Sequence, residues 1–300
     1  MASVAEQSVP AARAWLIAAR PRTLPVAAAP VVVGTAVAAS EGGARALPAI
    51  AALAGALLLQ IGSNLANDLF DFERGADTEE RIGPPRATQL GLLRPAQMRR
   101  ATLGVLLAAA FVGLYLVAVA GWPIVVVGGL SIAAALAYTG GPWPFGYRGL
   151  GDPAVFLFFG VIAVVGTCYV QTLSLSAAAF AASLPVGALA TAILVVNNTR
   201  DIETDRKAGK RTLAVVLGRA GARAEYLGLV AGAYAVLPIY VAYFDRSGFA
   251  LLPLLSLPLA VRLIGVVRSE VAGPPLNAAL ADTAKLTLVY SILLAIGWVL

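Results

Sequence analysis

Residues 153–199 read PAVFLFFGVIAVVGTCYVQTLSLSAAAFAASLPVGALATAILVVNNT, 47 positions without one Asp, Glu, Lys or Arg. A helix needs about 20 apolar residues to cross a ~30 Å hydrocarbon core, so this run holds two crossings joined by a tight turn. Residues 101–147 form a second uncharged run of the same length, and 23–40, 46–67, 226–244, 247–261 and 286–300 are also free of charge. Only 13% of the 300 residues are charged, against about 25% in average soluble chains, and mean hydropathy is +0.83. An ordinary soluble domain is excluded. The pattern predicts an all-α polytopic membrane protein with about nine transmembrane helices, near 15–40, 46–70, 97–120, 122–140, 153–172, 176–200, 222–243, 248–268 and 281–300. Residues 1–300 read as one transmembrane domain, of which 1–14 is expected to be a flexible N-terminal segment.

Composition removes several chemistries. The chain has no histidine, so an imidazole zinc site, an imidazole general base and a His-ligated haem are unavailable. Its one cysteine, Cys168, lies inside an apolar run, which excludes an internal disulfide and reads as core packing. Arg13, Arg20 and Arg22 interrupt the first apolar run, so no cleavable signal peptide is expected. With the N-terminus cytoplasmic, the outer loops carry only Arg45 and Arg246 of the 22 Lys and Arg residues. The positive-inside rule then places a multi-pass chain in the cell membrane with its C-terminus outside. The net charge of +6 describes one membrane face, and no nucleic-acid partner is expected.

Seven of the sixteen acidic residues fall in two short clusters. The first runs from Asn64 through Asn67, Asp68, Asp71 and Gly75 to Asp77. The second holds Asn197, Asp201 and Asp205, followed by Arg206, Lys207 and Lys210. Asn67-x3-Asp71 matches Asn197-x3-Asp201 at an offset of 130 residues, and each cluster closes an apolar span, the second and the sixth. This spacing indicates an internal repeat. Residues i, i+4 and i+8 share one helix face, so Asn197, Asp201 and Asp205 project together, as do Asn67 and Asp71. Two such faces brought together would crowd carboxylates whose repulsion calls for a cation. Mg²⁺ suits hard oxygen donors shared with substrate phosphates. The basic residues beside the clusters, Arg81 and Arg86 after the first and Arg206 and Lys210 after the second, would bind the remaining phosphate oxygens. The combination reads as a diphosphate site at the mouth of a membrane cavity.

These paired clusters resemble the UbiA superfamily of intramembrane prenyltransferases. Arg20-Pro-Arg-Thr-Leu-Pro25, Arg81-Ile-Gly-Pro-Pro-Arg86, Lys210-Arg-Thr-Leu213, and Tyr138-Thr-Gly-Gly141 with Tyr147-Arg-Gly-Leu-Gly-Asp152 are similar to its naphthoate branch, and the likeness runs from residue 15 onward. The resemblance implies a bundle whose central cavity opens to the cytoplasm. It also implies a polyprenyl diphosphate donor, a 1,4-dihydroxy-2-naphthoate acceptor that loses CO₂, membrane lipid as surroundings and Mg²⁺ as cofactor. Carried onto this chain, Asp71, Asp201 and Asp205 are catalytic. Asn67, Asp68, Asp71, Asp77, Asn197, Asp201 and Asp205 hold metal, and Arg81, Arg86, Arg206 and Lys210 hold diphosphate. Arg20, Arg22 and Tyr138 meet the aromatic substrate. The chain departs from the family pattern at Gly75, where a further Asp is common; Gly75 can break the helix and let Asp77 swing back. Phe156, Phe158 and Phe159 line the tail cavity or pack the core, and Pro21, Pro25 and Pro30 bend the first span. The competing readings are a UbiA-type enzyme with another aromatic acceptor and a cation-coupled transporter, whose acids would lie near mid-membrane.

Overall fold

The computed structural model describes residues 9–76, 82–244, 247–270 and 273–300. Among them there is no β-strand. Thirteen α-helices follow one another: α1 Ala11–Ala19, α2 Leu24–Ser40, α3 Ala46–Glu73, α4 Pro95–Ala120, α5 Pro123–Ala137, α6 Gly151–Val155, α7 Ala163–Thr172, α8 Ala177–Arg200, α9 Ile202–Lys207, α10 Leu213–Ala235, α11 Leu237–Tyr243, α12 Leu257–Ser269 and α13 Pro274–Val299. Joined end to end, they give eight segments long and apolar enough to cross a membrane, and the 15-residue α5 adds a shorter ninth. Among the described residues a helix stands at each of the nine expected positions, eight of them long enough to cross.

Several expected boundaries move, each for a physical reason. The first span is two helices. Pro21 disfavours the helical region for the residue before it, and Arg20 takes a left-handed conformation with φ 51°. The segment expected to be flexible already joins α1 at Ala11, because Ala14 and Ala18 are buried against Leu65 and Leu69 of α3. Helix α10 begins at Leu213 rather than near 222 and bends at Gly218. Its charges do not end it because they bond to the ends of other helices. Arg219 donates to the Thr199 carbonyl at 3.2 Å, and Arg223 donates to Val267 at 3.1 Å and Glu270 at 3.0 Å. Such pairing satisfies carbonyls left open at helix C-termini. Helix α13 starts at Pro274 rather than near 281, so Asp282 and Lys285 ride on it as helical residues.

Helix α8 forms the axis of the larger core. Val186, Leu189, Val195 and Val196 pack against Val33 and Val37 of α2, Tyr226 and Val230 of α10, and Leu286, Tyr290 and Trp298 of α13. Small residues let helices approach where apolar burial in lipid supplies little drive, and α2 and α8 are rich in buried Ala. Buried tyrosines find partners, as they must away from water: Tyr226 meets Thr283 at 3.0 Å and Tyr240 donates to the Ala181 carbonyl at 3.0 Å. Phe156 packs against this core, whereas Phe158 and Phe159 line a cavity.

Candidate functional site

Both acidic motifs end their helices in the same way. At the end of α3 the Ala76 N–H bonds the Asp71 carbonyl at 2.9 Å, and the Gly75 N–H bonds Phe72 at 2.9 Å. At the end of α9 the Lys210 N–H bonds the Asp205 carbonyl at 2.8 Å, and the Gly209 N–H bonds Arg206 at 3.2 Å. These are paired Schellman closures, which need a left-handed residue after the helix. Gly75 and Gly209 supply it with φ of 69° and 70°. Gly75 therefore ends the helix as the sequence indicates; Asp77 and Arg81 lie outside the described residues.

Asp71 is the meeting point of the two halves. It is 1% exposed. Arg86 Nη2 donates to its Oδ2 at 2.8 Å, and the Tyr147 hydroxyl donates to its Oδ1 at 2.7 Å. Lys210, from beyond the second motif, lies 3.1 Å from the same Oδ1 and 4.7 Å from the centre of the Tyr147 ring. The loop segments close around this contact: the Arg211 N–H bonds the Tyr147 carbonyl at 3.0 Å, and Thr139 donates to Asn67 Oδ1 at 2.9 Å. A buried carboxylate demands such compensation.

The second motif is held by Arg200, whose side chain is fully enclosed. Its Nε donates to Asp201 Oδ1 at 2.8 Å while Nη2 reaches Asp201 Oδ2 and, at 2.9 Å, Asn197 Oδ1. Nη1 donates to Asn277 Oδ1 of α13 at 2.8 Å, and the Asn277 amide donates to the Ile82 carbonyl at 3.3 Å. The backbone departs from helical geometry at Asp201, with φ −97° and ψ 8°. The i+4 bonds nevertheless persist, Asp201 N–H to Asn197 at 3.2 Å and Asp205 N–H to Asp201 at 2.8 Å, so the expected shared face survives the bend.

Two residues assigned from sequence are held by other partners. Asp68, expected at the metal, accepts the backbone N–H of Ala87 at 3.0 Å and of Thr88 at 3.2 Å, tying down the loop that carries Arg86. Arg206, expected on the diphosphate, pairs with Glu203 at 2.9 Å on an exposed face of α9. Nor do the carboxylates crowd together. Among the described residues no three acidic side chains sit close enough to chelate an ion by themselves; Arg86 and Lys210 pair with Asp71, and Arg200 with Asp201. Opposite charges inserted among buried acids remove the repulsion that the sequence alone suggests.

Above the polar end lies a cavity of about 460 Å³, walled by α2, α3, α4, α5, α7 and the Phe156–Ile162 π-helical turn. Its lining is almost wholly aliphatic and aromatic, with Tyr138 and Phe145 among the wall residues. The UbiA prenyltransferase family profile matches residues 27–299.

This chain belongs to the UbiA prenyltransferase family.

The 1,4-dihydroxy-2-naphthoate octaprenyltransferase of Escherichia coli (strain K12) is 40% identical over 298 residues, covering 97% of each chain. The protein of the same name from Mycobacterium tuberculosis is 42% identical over 281 residues, covering 94% of this chain and 95% of its own. A solved UbiA homolog from Aeropyrum pernix K1 superposes with a TM-score of 0.69 at 17% identity, covering 96% and 98% of the two chains. One from Archaeoglobus fulgidus bound to GPP and Mg²⁺ gives 0.68 at 15%, covering 95% of this chain and 99% of its own. The last two show the fold. The present UbiA prenyltransferase is thus a multi-pass membrane enzyme.

Sequence reasoning missed Tyr147, Arg200 and Asn277, which join the hydrogen-bond network around the two acidic motifs. Tyr147 sits in a stretch already noted for its resemblance, and Arg200 adjoins Asp201, so both left a local signal. Asn277 stands on α13, 77 residues from Arg200, and nothing near it in sequence marks it.

Proposed function

We propose that this prenyltransferase moves a polyprenyl group from polyprenyl diphosphate to 1,4-dihydroxy-2-naphthoate with loss of CO₂, giving demethylmenaquinone in its quinol form. The relatives at 40% and 42% identity carry the naphthoate acceptor in their names. The observation that supports the chemistry is the junction at Asp71, where the first motif meets Lys210 from just beyond the second, in a bundle that also holds a cavity suited to an apolar tail. Asn67, Asp71, Asn197, Asp201 and Asp205 offer oxygen donors only, which fits Mg²⁺. When bound, Mg²⁺ would supply Lewis-acid stabilisation of the departing diphosphate.

The chain's own residues divide the rest. Arg86 and Lys210 neutralise charge at the leaving group, and Tyr147 fixes the Asp71 carboxylate. The allylic C–O bond breaks and its electron pair leaves with the diphosphate. The ring carbon bearing the carboxylate forms the new C–C bond, and the electrons of the C–CO₂⁻ bond return to the ring as CO₂ departs. No ring proton has to be removed at that carbon, in keeping with a chain that lacks histidine. Arg20, half-buried at the α1–α2 break, anchors the naphthoate carboxylate; Arg22 beside it is exposed. The N-terminus faces the cytoplasm and the C-terminus the outside.

Purified protein incubated with polyprenyl diphosphate and carboxyl-labelled naphthoate should release labelled CO₂ in step with product. EDTA should stop the reaction and added Mg²⁺ should restore it. A prenylated product that retains the label, or turnover indifferent to chelation, would overturn the corresponding part. Ion-driven uptake into proteoliposomes without covalent product would favour transport instead.

A further inference from the structure

The wall of the apolar cavity carries one amide, Gln60 of α3. Its orientation is fixed by a chain of hydrogen bonds. Asn64 Nδ2 donates to the Ala19 carbonyl at 2.9 Å and to Thr23 Oγ1 at 2.9 Å, which turns Asn64 Oδ1 toward Gln60. Thr23 Oγ1 gives its own proton to the Arg20 carbonyl at 2.9 Å and so only accepts from its neighbours. Gln60 Nε2 therefore donates to both, at 3.2 Å to Thr23 Oγ1 and 3.2 Å to Asn64 Oδ1. A flipped amide would set oxygen against oxygen at Asn64. The carbonyl oxygen, Gln60 Oε1, is left buried with no hydrogen-bond partner.

A buried acceptor without a donor is costly and rare, and polar side chains at membrane depth are functional by default. Its surroundings point to a ligand. The network that aims Gln60 runs through Thr23 to Arg20, at the break that carries the proposed carboxylate anchor. Tyr138 lines the same cavity. Gln60 lies eleven residues before Asp71, about 16 Å along the helix at 1.5 Å per residue. That spacing leaves room for a diphosphate and an aromatic ring end to end.

We propose that Gln60 Oε1 accepts the proton of a ring hydroxyl of the aromatic acceptor and so selects hydroquinone-type substrates. The inference rests on the acceptor reading above and deepens it. A ring hydroxyl hydrogen-bonded to a carbonyl donates more electron density into the ring, which favours attack on the prenyl carbon. An acceptor whose hydroxyl is capped as a methyl ether leaves Oε1 unpaired and crowds it, and a site built around a hydroxyl rejects the analogue lacking it.

The test compares kcat/KM for 1,4-dihydroxy-2-naphthoate with that for its two mono-O-methyl ethers, in wild type, Gln60→Leu, Gln60→Met and Gln60→Glu. Wild type should prefer the diol over one ether by roughly 10- to 100-fold. Leu and Met should collapse that ratio toward one with the KM for polyprenyl diphosphate within about twofold of wild type, and Glu, whose second oxygen would face Asn64 Oδ1 in place of the donating Nε2, should lower it as well. Discrimination undiminished in either the Leu or the Met variant would overturn the role of Gln60. Wild type that prenylates neither the diol nor the ethers would instead sink the acceptor reading.

Discussion

Tyr147→Phe isolates one bond at the centre of the site. The substitution keeps the ring that lies 4.7 Å from the Lys210 ammonium and 5.7 Å from the Arg74 guanidinium. It deletes the hydroxyl that donates to Asp71 at 2.7 Å. A hydrogen bond to a charged group contributes about 1.5–3 kcal/mol. Asp71 retains Arg86 at 2.8 Å and Lys210 at 3.1 Å, so the lower end of that range applies. At about 1.4 kcal/mol per decade, kcat/KM for polyprenyl diphosphate should fall roughly tenfold. Tyr147→Ala also removes the ring face beneath Lys210, adding about 0.5–2 kcal/mol, and should be several-fold worse again. The assay is steady-state prenyl transfer in detergent, with thermal unfolding followed in parallel to show that both variants remain folded. A Phe variant within twofold of wild type would refute the argument that the phenol sets the Asp71 carboxylate.

Three further outcomes follow from the same contacts. Asp71→Ala and Asp201→Ala should each reduce prenyl transfer to background in protein that stays folded in detergent; substantial turnover in either would count against diphosphate chemistry at the paired motifs. Arg200→Met leaves the Asp201 carboxylate without its enclosed partner, and breaking a buried pair costs about 3–5 kcal/mol, so its melting temperature should drop by several degrees along with activity. Arg20→Ala should raise the KM for naphthoate and leave that for polyprenyl diphosphate near wild type, with Arg22→Ala the milder change; equal effects of the two would place the carboxylate anchor elsewhere.

The crossings were legible because lipid demands long uncharged runs, and residues 153–199 satisfy that demand without help from tertiary structure. The Asn67–Asp71 and Asn197–Asp201 spacing was legible because i+4 periodicity is local. What the sequence hid depends on contacts across the chain. Arg219 fell outside the expected span and Arg223 at its very edge, yet both lie well inside α10 and satisfy carbonyls of other helices. Asp68 and Asp71 are three residues apart and equally acidic, and only the loop at 86–88 separates their roles. The partners of Asp71 come from 15 and 76 residues away, a separation at which no residue spacing carries information.

The convergence of both acidic motifs on one leaving group is tested most directly by a cryo-EM structure of this enzyme with Mg²⁺ and a polyprenyl thiolodiphosphate, which resists cleavage. The account predicts a single diphosphate reached from one side by Asp71 with Arg86 and from the other by Asp201 or Asp205, its tail in the Tyr138 cavity. A diphosphate held by one motif alone, with the other motif turned away, would contradict it.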